Sequence, residues 1–145
     1  MTAPVTVRNL DHIVLNVADP EASVVWYTKL LGLSALRLAE FRAGKAPFPS
    51  MQVCPGVIID LDPRSPRTGT NIAHFCLVLD EIDLFALAES GQFTVVAGPF
   101  RRWGALGEAD LIYVKDPDGN VIELRHYGPS QLADHPDPHG TTPAR

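Results

Sequence analysis

Long hydrophobic runs are missing from this chain: no stretch of 18 apolar residues occurs in its 145. The first residues, Met1-Thr2-Ala3-Pro4-Val5-Thr6-Val7-Arg8, lack the apolar centre of a leader peptide. Membrane insertion and secretion are therefore not expected, and a cytoplasmic location is. Cysteine is scarce as well. Cys54 and Cys76 are too few for a disulfide framework, and both lie in strand-like apolar runs where buried, reduced side chains are expected. Nor is there any run of Lys or Arg. A formal charge of -5 argues against a nucleic-acid partner, because phosphate binding needs a basic stripe. What remains is the composition of an ordinary globular chain, long enough for one domain with a substantial core.

Against that plain background one repetition stands out. Leu10-Asp11-His12-Ile13-Val14-Leu15 answers to Ile72-Ala73-His74-Phe75-Cys76-Leu77, and Ile58-Ile59-Asp60-Leu61 answers to Val121-Ile122-Glu123-Leu124. The histidines are 62 residues apart and the carboxylates 63. Each copy brings an imidazole and a carboxylate on an apolar strand, which suggests two pseudo-symmetric modules converging on one metal.

Local patterns divide the chain accordingly. Val7 to Val17 alternates and reads as a strand. Asp19-Pro20 starts a helix that Gly32 ends. Leu33 to Phe41, Met51 to Cys54 and Gly56 to Leu61 read as further strands, giving β-α-β-β-β. Residues 62–71 hold two prolines and little apolar material and form a linker. The order then repeats: strand Ile72 to Leu79, helix Glu81 to Glu89, and strands Phe93 to Ala97, Ala109 to Lys115 and Asn120 to Tyr127. Asp116-Pro117-Asp118-Gly119 is a hairpin turn. The expected domain runs 7–127, with module 1 at about 7–62 and module 2 at about 72–127; the polar residues 128–145 are expected to be a mobile tail or an arm on a partner subunit.

Alternate residues of a strand face opposite sides of its sheet. His12, Val14 and Asn16 therefore share one face, His74, Cys76 and Val78 another, and Glu123 and Arg125 a third, each opposed by a wholly apolar row that can pack on a helix. His126 has the wrong parity for a ligand, and His135 and His139 lie in the tail.

Leu10-Asp11-His12-Ile13, Trp26-Tyr27-Thr28-Lys29-Leu30-Leu31-Gly32-Leu33, Ala73-His74 and Tyr113-Val114-Lys115-Asp116-Pro117-Asp118-Gly119-Asn120-Val121-Ile122-Glu123 together resemble the vicinal oxygen chelate superfamily. That superfamily includes glyoxalase I, extradiol dioxygenases, fosfomycin-resistance proteins and bleomycin-binding proteins. The resemblance implies an α+β fold of two βαβββ modules forming a curved mixed sheet around a metal cleft. It implies His12, His74 and Glu123 as ligands of a divalent metal ion (Ni, Zn, Mn or Fe), with positions left open for two adjacent substrate oxygens. A homodimer acting on a small-molecule substrate is implied as well.

Departures from the family pattern bear on the reaction. Glyoxalase I-like members carry a glutamate where this chain has Asp60, which is one methylene shorter and is a candidate for water-mediated ligation or for a catalytic base. The ring-cleaving signature fits at Gly104, Tyr113, Asp116-Pro117, Gly119 and Glu123, but Leu106 stands where its histidine belongs. Leucine can neither hydrogen-bond a catecholate nor relay a proton. Tyr113 shares the parity of Glu123 and is a candidate hydrogen-bond donor to substrate. The loop Pro99 to Ala105 is expected over the cleft mouth, with Arg101 or Arg102 pairing with an anionic group and Trp103 as an apolar lid; Asn16 is a further substrate contact. Expected catalytic residues are thus Glu123, Asp60 and Tyr113. The expected function is a glyoxalase I-like lyase or isomerase, the alternatives being an extradiol-type dioxygenase and a metal-free drug-binding resistance protein.

Overall fold

A computed structural model describes residues 8, 10, 12–65, 68–104 and 106–132, residues 103 and 104 by backbone only. The chain divides into two compact units at Asn71/Ile72. The fold is α+β, with a four-stranded mixed sheet in each unit.

The first unit runs β1 (His12–Asn16), α1 (Pro20–Leu31), β2 (Ser34–Leu36), α2 (Leu38–Arg42), β3 (Ser50–Cys54) and β4 (Val57–Asp62). Its sheet order is β1-β4-β3-β2, with β1 parallel to β4. Helix α1 begins where expected: the Asp19 carboxylate accepts from the Glu21 and Ala22 amides at 3.0 and 3.2 Å, and Pro20 occupies the first turn. It ends at Gly32, whose φ of 67° lets its amide reach back to the Thr28 carbonyl. Leu15, Val17, Val24, Tyr27, Met51, Ile59 and Leu61 form the core between helix and sheet. Each of these strand residues has the parity opposite to His12 and Asp60, so burial of the apolar row fixes which way the polar row points.

The second unit runs β5 (Phe75–Val78), α3 (Leu84–Glu89), β6 (Thr94–Gly104), β7 (Gly107–Lys115) and β8 (Val121–His126), in the order β5-β8-β7-β6. The Asp116–Gly119 turn sets its register. Asp116 Oδ1 accepts from the Asp118 and Asn120 amides at 2.9 and 2.8 Å, Oδ2 accepts from Asn120 Nδ2 at 2.8 Å, and Gly119 supplies a φ of 79°. This hairpin places Tyr113 directly opposite Glu123.

Four expectations are corrected. The strand read over Leu33 to Phe41 is short and gives way to helix α2, because Leu38-Ala39-Glu40 are strong helix formers and Arg42 reaches the Glu21 carboxylate at 2.7 Å. Helix α3 starts at Leu84 rather than Glu81, with Asp83 as its cap. The expected loop from Pro99 is the second half of strand β6; irregular pairing between Ala97 and Phe100 on this outer strand accommodates the proline. Cys54 and Cys76 are exposed rather than buried. Residues 128–132 make specific contacts: the Gln131 amide and Ser130 hydroxyl donate to Asp110, and Gln131 bonds Leu84 and Ile82. Residues 133–145, with His135 and His139, lie outside the described residues. No helix among the described residues is long and apolar enough to cross a membrane.

Candidate active site

In the second unit the polar row centres on Glu123. It sits on β8 between Cys76 of β5 and Tyr113 of β7, with His74 immediately before β5. The carboxylate is almost fully buried, and its two oxygens face different partners. Oε1 accepts from Arg125 Nε at 2.6 Å and is also contacted by Arg125 Nη2; Cys76 Sγ lies 3.5 Å from the same oxygen. Oε2 lies 3.4 Å from His74 Nε2. The His74 ring also meets the Tyr113 ring edge-on, with centroids 5.6 Å apart.

Electrostatics follow from this packing. Partial shielding of the sulfur raises the Cys76 thiol to about 11 although the residue as a whole is exposed, and the Glu123 charge beside it adds to the effect. Tyr113 is raised by burial and then by Glu123, while the Arg102 guanidinium works in the other direction. Burial works against the Arg125 cation, but the hydrogen bonds with Glu123 and Tyr127 outweigh it and leave its pKa above the usual arginine value. Both neutral groups, thiol and phenol, thus keep their protons beside one buried carboxylate whose counter-charge is Arg125.

The donors suit a divalent cation as a pair. Two ligands bound at about 2.1 Å with a tetrahedral angle between them stand about 3.4 Å apart, which is the Nε2 to Oε2 separation. Arg125 occupies one carboxylate oxygen and leaves the other for an ion, the kind of outer-shell support that ligating carboxylates commonly have. Among the described residues, no group of three or more His, Cys, Asp or Glu side chains forms a ready metal cage.

In the first unit, His12 is exposed at the start of β1, followed on the same face by Val14 and Asn16. Asp60 pairs with Val14 rather than with His12, so the two chemical groups are offset along the sheet. Asp60 Oδ1 accepts from Ser50 Oγ at 2.5 Å and from Arg37 Nη2 at 3.0 Å, and Arg37 also contacts the Ser50 hydroxyl. Arg37 reaches this position from a left-handed backbone, φ 61°, and stacks over Phe48 at 5.6 Å. Asn16 Nδ2 lies 3.3 Å from Asn71 Oδ1, and Asn71 Nδ2 donates to the Asn16 carbonyl at 3.0 Å.

Of the residues expected from sequence, the structure brings His74, Glu123 and Tyr113 together. Arg102 joins them from β6, pairing with Ala109 two residues from Leu111 and acting on the Tyr113 hydroxyl. Arg101 faces the other way and pairs with Asp110 at 3.0 Å. The Trp103 side chain and Ala105 lie outside the described residues. Leu106 is exposed, and its amide donates to the Tyr127 hydroxyl at 3.1 Å. His126 is buried, its Nδ1 accepting from the Gly128 amide. Cys76 beside Glu123 and, within the first unit, the Arg37–Ser50 clamp on Asp60 were not expected. Cys76 was legible, since it shares the parity of His74; the clamp is not, because Arg37 and Asp60 are 23 residues apart.

Comparisons with known proteins agree with this architecture. The family model described as Glyoxalase/Bleomycin resistance protein/Dioxygenase superfamily matches residues 9–124. A virulence protein of Salmonella typhimurium is 29% identical over 83% of this chain and 85% of its own. The crystal structure of that protein has a TM-score of 0.67 at 27% identity, covering 86% of this chain and all of the other. A glyoxalase domain-containing protein of Mycosarcoma maydis is 33% identical over 84% of this chain and 70% of its own. A protein named as a probable lactoylglutathione lyase, from Vibrio parahaemolyticus, is 29% identical over 78% of this chain and 86% of its own.

Proposed function

The chain belongs to the Glyoxalase/Bleomycin resistance protein/Dioxygenase superfamily, and on that premise we propose that it is a divalent-metal-dependent enzyme, a glyoxalase I-like lyase or isomerase acting on a small molecule through two adjacent oxygens. The observation that carries this reading is the division of labour at Glu123, with Oε1 held by Arg125 and Oε2 facing His74 Nε2 at 3.4 Å. The intact set of His12, His74 and Glu123 argues against a metal-free drug-binding protein. The lyase relative from Vibrio favours the isomerase branch, and Leu106 in place of a histidine counts against ring cleavage.

His74 and Glu123 would hold the ion, with His12 as the third donor. The ion would supply Lewis-acid stabilisation of negative charge developing on the substrate oxygens. Glu123 is the carboxylate assigned to move the proton, since Oε2 is turned away from its arginine. Asp60 shares Oδ1 between Arg37 and Ser50, which suits holding the Arg37 guanidinium in place better than taking a proton. Tyr113 keeps its proton, so its hydroxyl is a donor to charge developing on the substrate. The setting of this reading is a cytoplasmic homodimer.

The test is metal-dependent conversion of 2-oxoaldehyde–thiol adducts and 2-hydroxyaldehydes, lost on chelation and restored by Ni, Zn, Mn or Fe(II). Oxygen consumption with catechols in place of isomerisation would move the assignment to the dioxygenase branch. A purified protein that takes up none of these metals would overturn both.

A further inference from the structure

We infer that the substrate carries a carboxylate in addition to its vicinal oxygens, and that Arg102 is the residue that selects it. The inference deepens the proposed function and rests on it.

Charge balance across the second sheet carries the argument. On β6, Arg101 pairs with Asp110 and Glu108 on the far face. On β8, Arg125 is neutralised by Glu123. Arg102 has no carboxylate in salt-bridge range among the described residues. Its guanidinium lies over the Phe100 ring at 4.8 Å, a contact that orients the group without cancelling its charge. Residues paired across a ladder share a face, so Arg102 opposite Ala109 and Phe100 opposite Leu111 lie on the Tyr113 and Glu123 face.

That face therefore holds one carboxylate and two guanidiniums, with the Lys115 ammonium exposed at its end, before any ion is added. A divalent cation at His74 and Glu123 would raise the positive excess further. A neutral chelating substrate leaves the excess uncompensated, whereas a carboxylate on the substrate answers it. The planar fork of arginine takes a carboxylate through two parallel hydrogen bonds. Arg102 also acts on the Tyr113 hydroxyl, so the anion-binding group and the donor are adjacent.

The experiment uses the full chain loaded with redox-inert Zn(II) and measures binding of 3,4-dihydroxybenzoate against its methyl ester. The two share the same oxygen pair and differ in the remote charge. The acid is expected to bind on the order of 10-fold more tightly or better, the size of one charge-assisted contact. The advantage should shrink with added salt. Arg102→Gln should bring the ratio close to one, and R102K should retain part of it. Equal binding of acid and ester by the unaltered protein, or an unchanged ratio in both variants, overturns the role of Arg102 and leaves chelation intact. Zn(II)-independent binding of both compounds, or no binding of either, overturns the chelating site itself.

Discussion

Arg125 and Glu123 are 3% and 4% exposed, so neither charge has water to fall back on. Arg125→Met keeps the stem volume and removes the counter-charge, leaving the buried carboxylate with only His74 and Cys76 beside it. Breaking a buried pair in this way costs about 3–5 kcal/mol, most of it the penalty of the stranded ion. Urea unfolding of the metal-free protein should show that loss. One control separates the electrostatic cause from a packing defect. The double variant R125M/E123Q should recover most of the lost stability. A cost under about 1 kcal/mol, or a double variant no better than R125M alone, would refute the claim that Arg125 is the counter-charge.

Other residues give independent checks. With its thiol raised to about 11, Cys76 should react with iodoacetamide at pH 8 on the order of 20-fold more slowly than an unperturbed thiol, after allowing for the greater nucleophilicity of its thiolate; E123Q should speed the reaction, and an ordinary rate would show the thiol is not under the influence of Glu123. Asp60→Asn should cost about 1–2 kcal/mol, because the amide oxygen still accepts from Arg37 and Ser50 but without the charge that strengthens those bonds. Its Zn(II) affinity by calorimetry should stay within roughly threefold, whereas a large loss would make Asp60 a ligand. Hydrogen bonding from Arg64 holds the Asp62 carboxyl below its usual range. Its contribution is therefore present above the ordinary carboxylate pKa and lost as the pH falls through the lowered value. Because Arg64 is largely exposed, D62N should lessen acid sensitivity by no more than about 1 kcal/mol; no change in acid unfolding would exclude that pair.

Strand parity made much of the second unit legible. Period-two alternation with one fully apolar row leaves a single orientation for Glu123, Tyr113 and Cys76, and the Asp116–Gly119 turn fixes their register. Three features escaped the same reasoning for separate reasons. Leu38–Arg42 alternates enough to look like a strand, yet its helix propensity and the Glu21 partner of Arg42 prevail. Pro99 looks like a strand breaker, but on an outer strand with irregular pairing its missing amide costs little. The Arg37 clamp on Asp60 depends on a left-handed backbone at a non-glycine residue, which no local pattern announces. Asp60 matched Glu123 in spacing and differs from it in environment.

Zn(II) titration by calorimetry of the unaltered protein, H12A, H74A and E123Q bears most directly on the proposed centre. One ion per chain is expected, with each variant weakened by more than the 10- to 100-fold that outer-shell changes cost. Full affinity retained by both H74A and E123Q would show that the ion is held elsewhere or not at all.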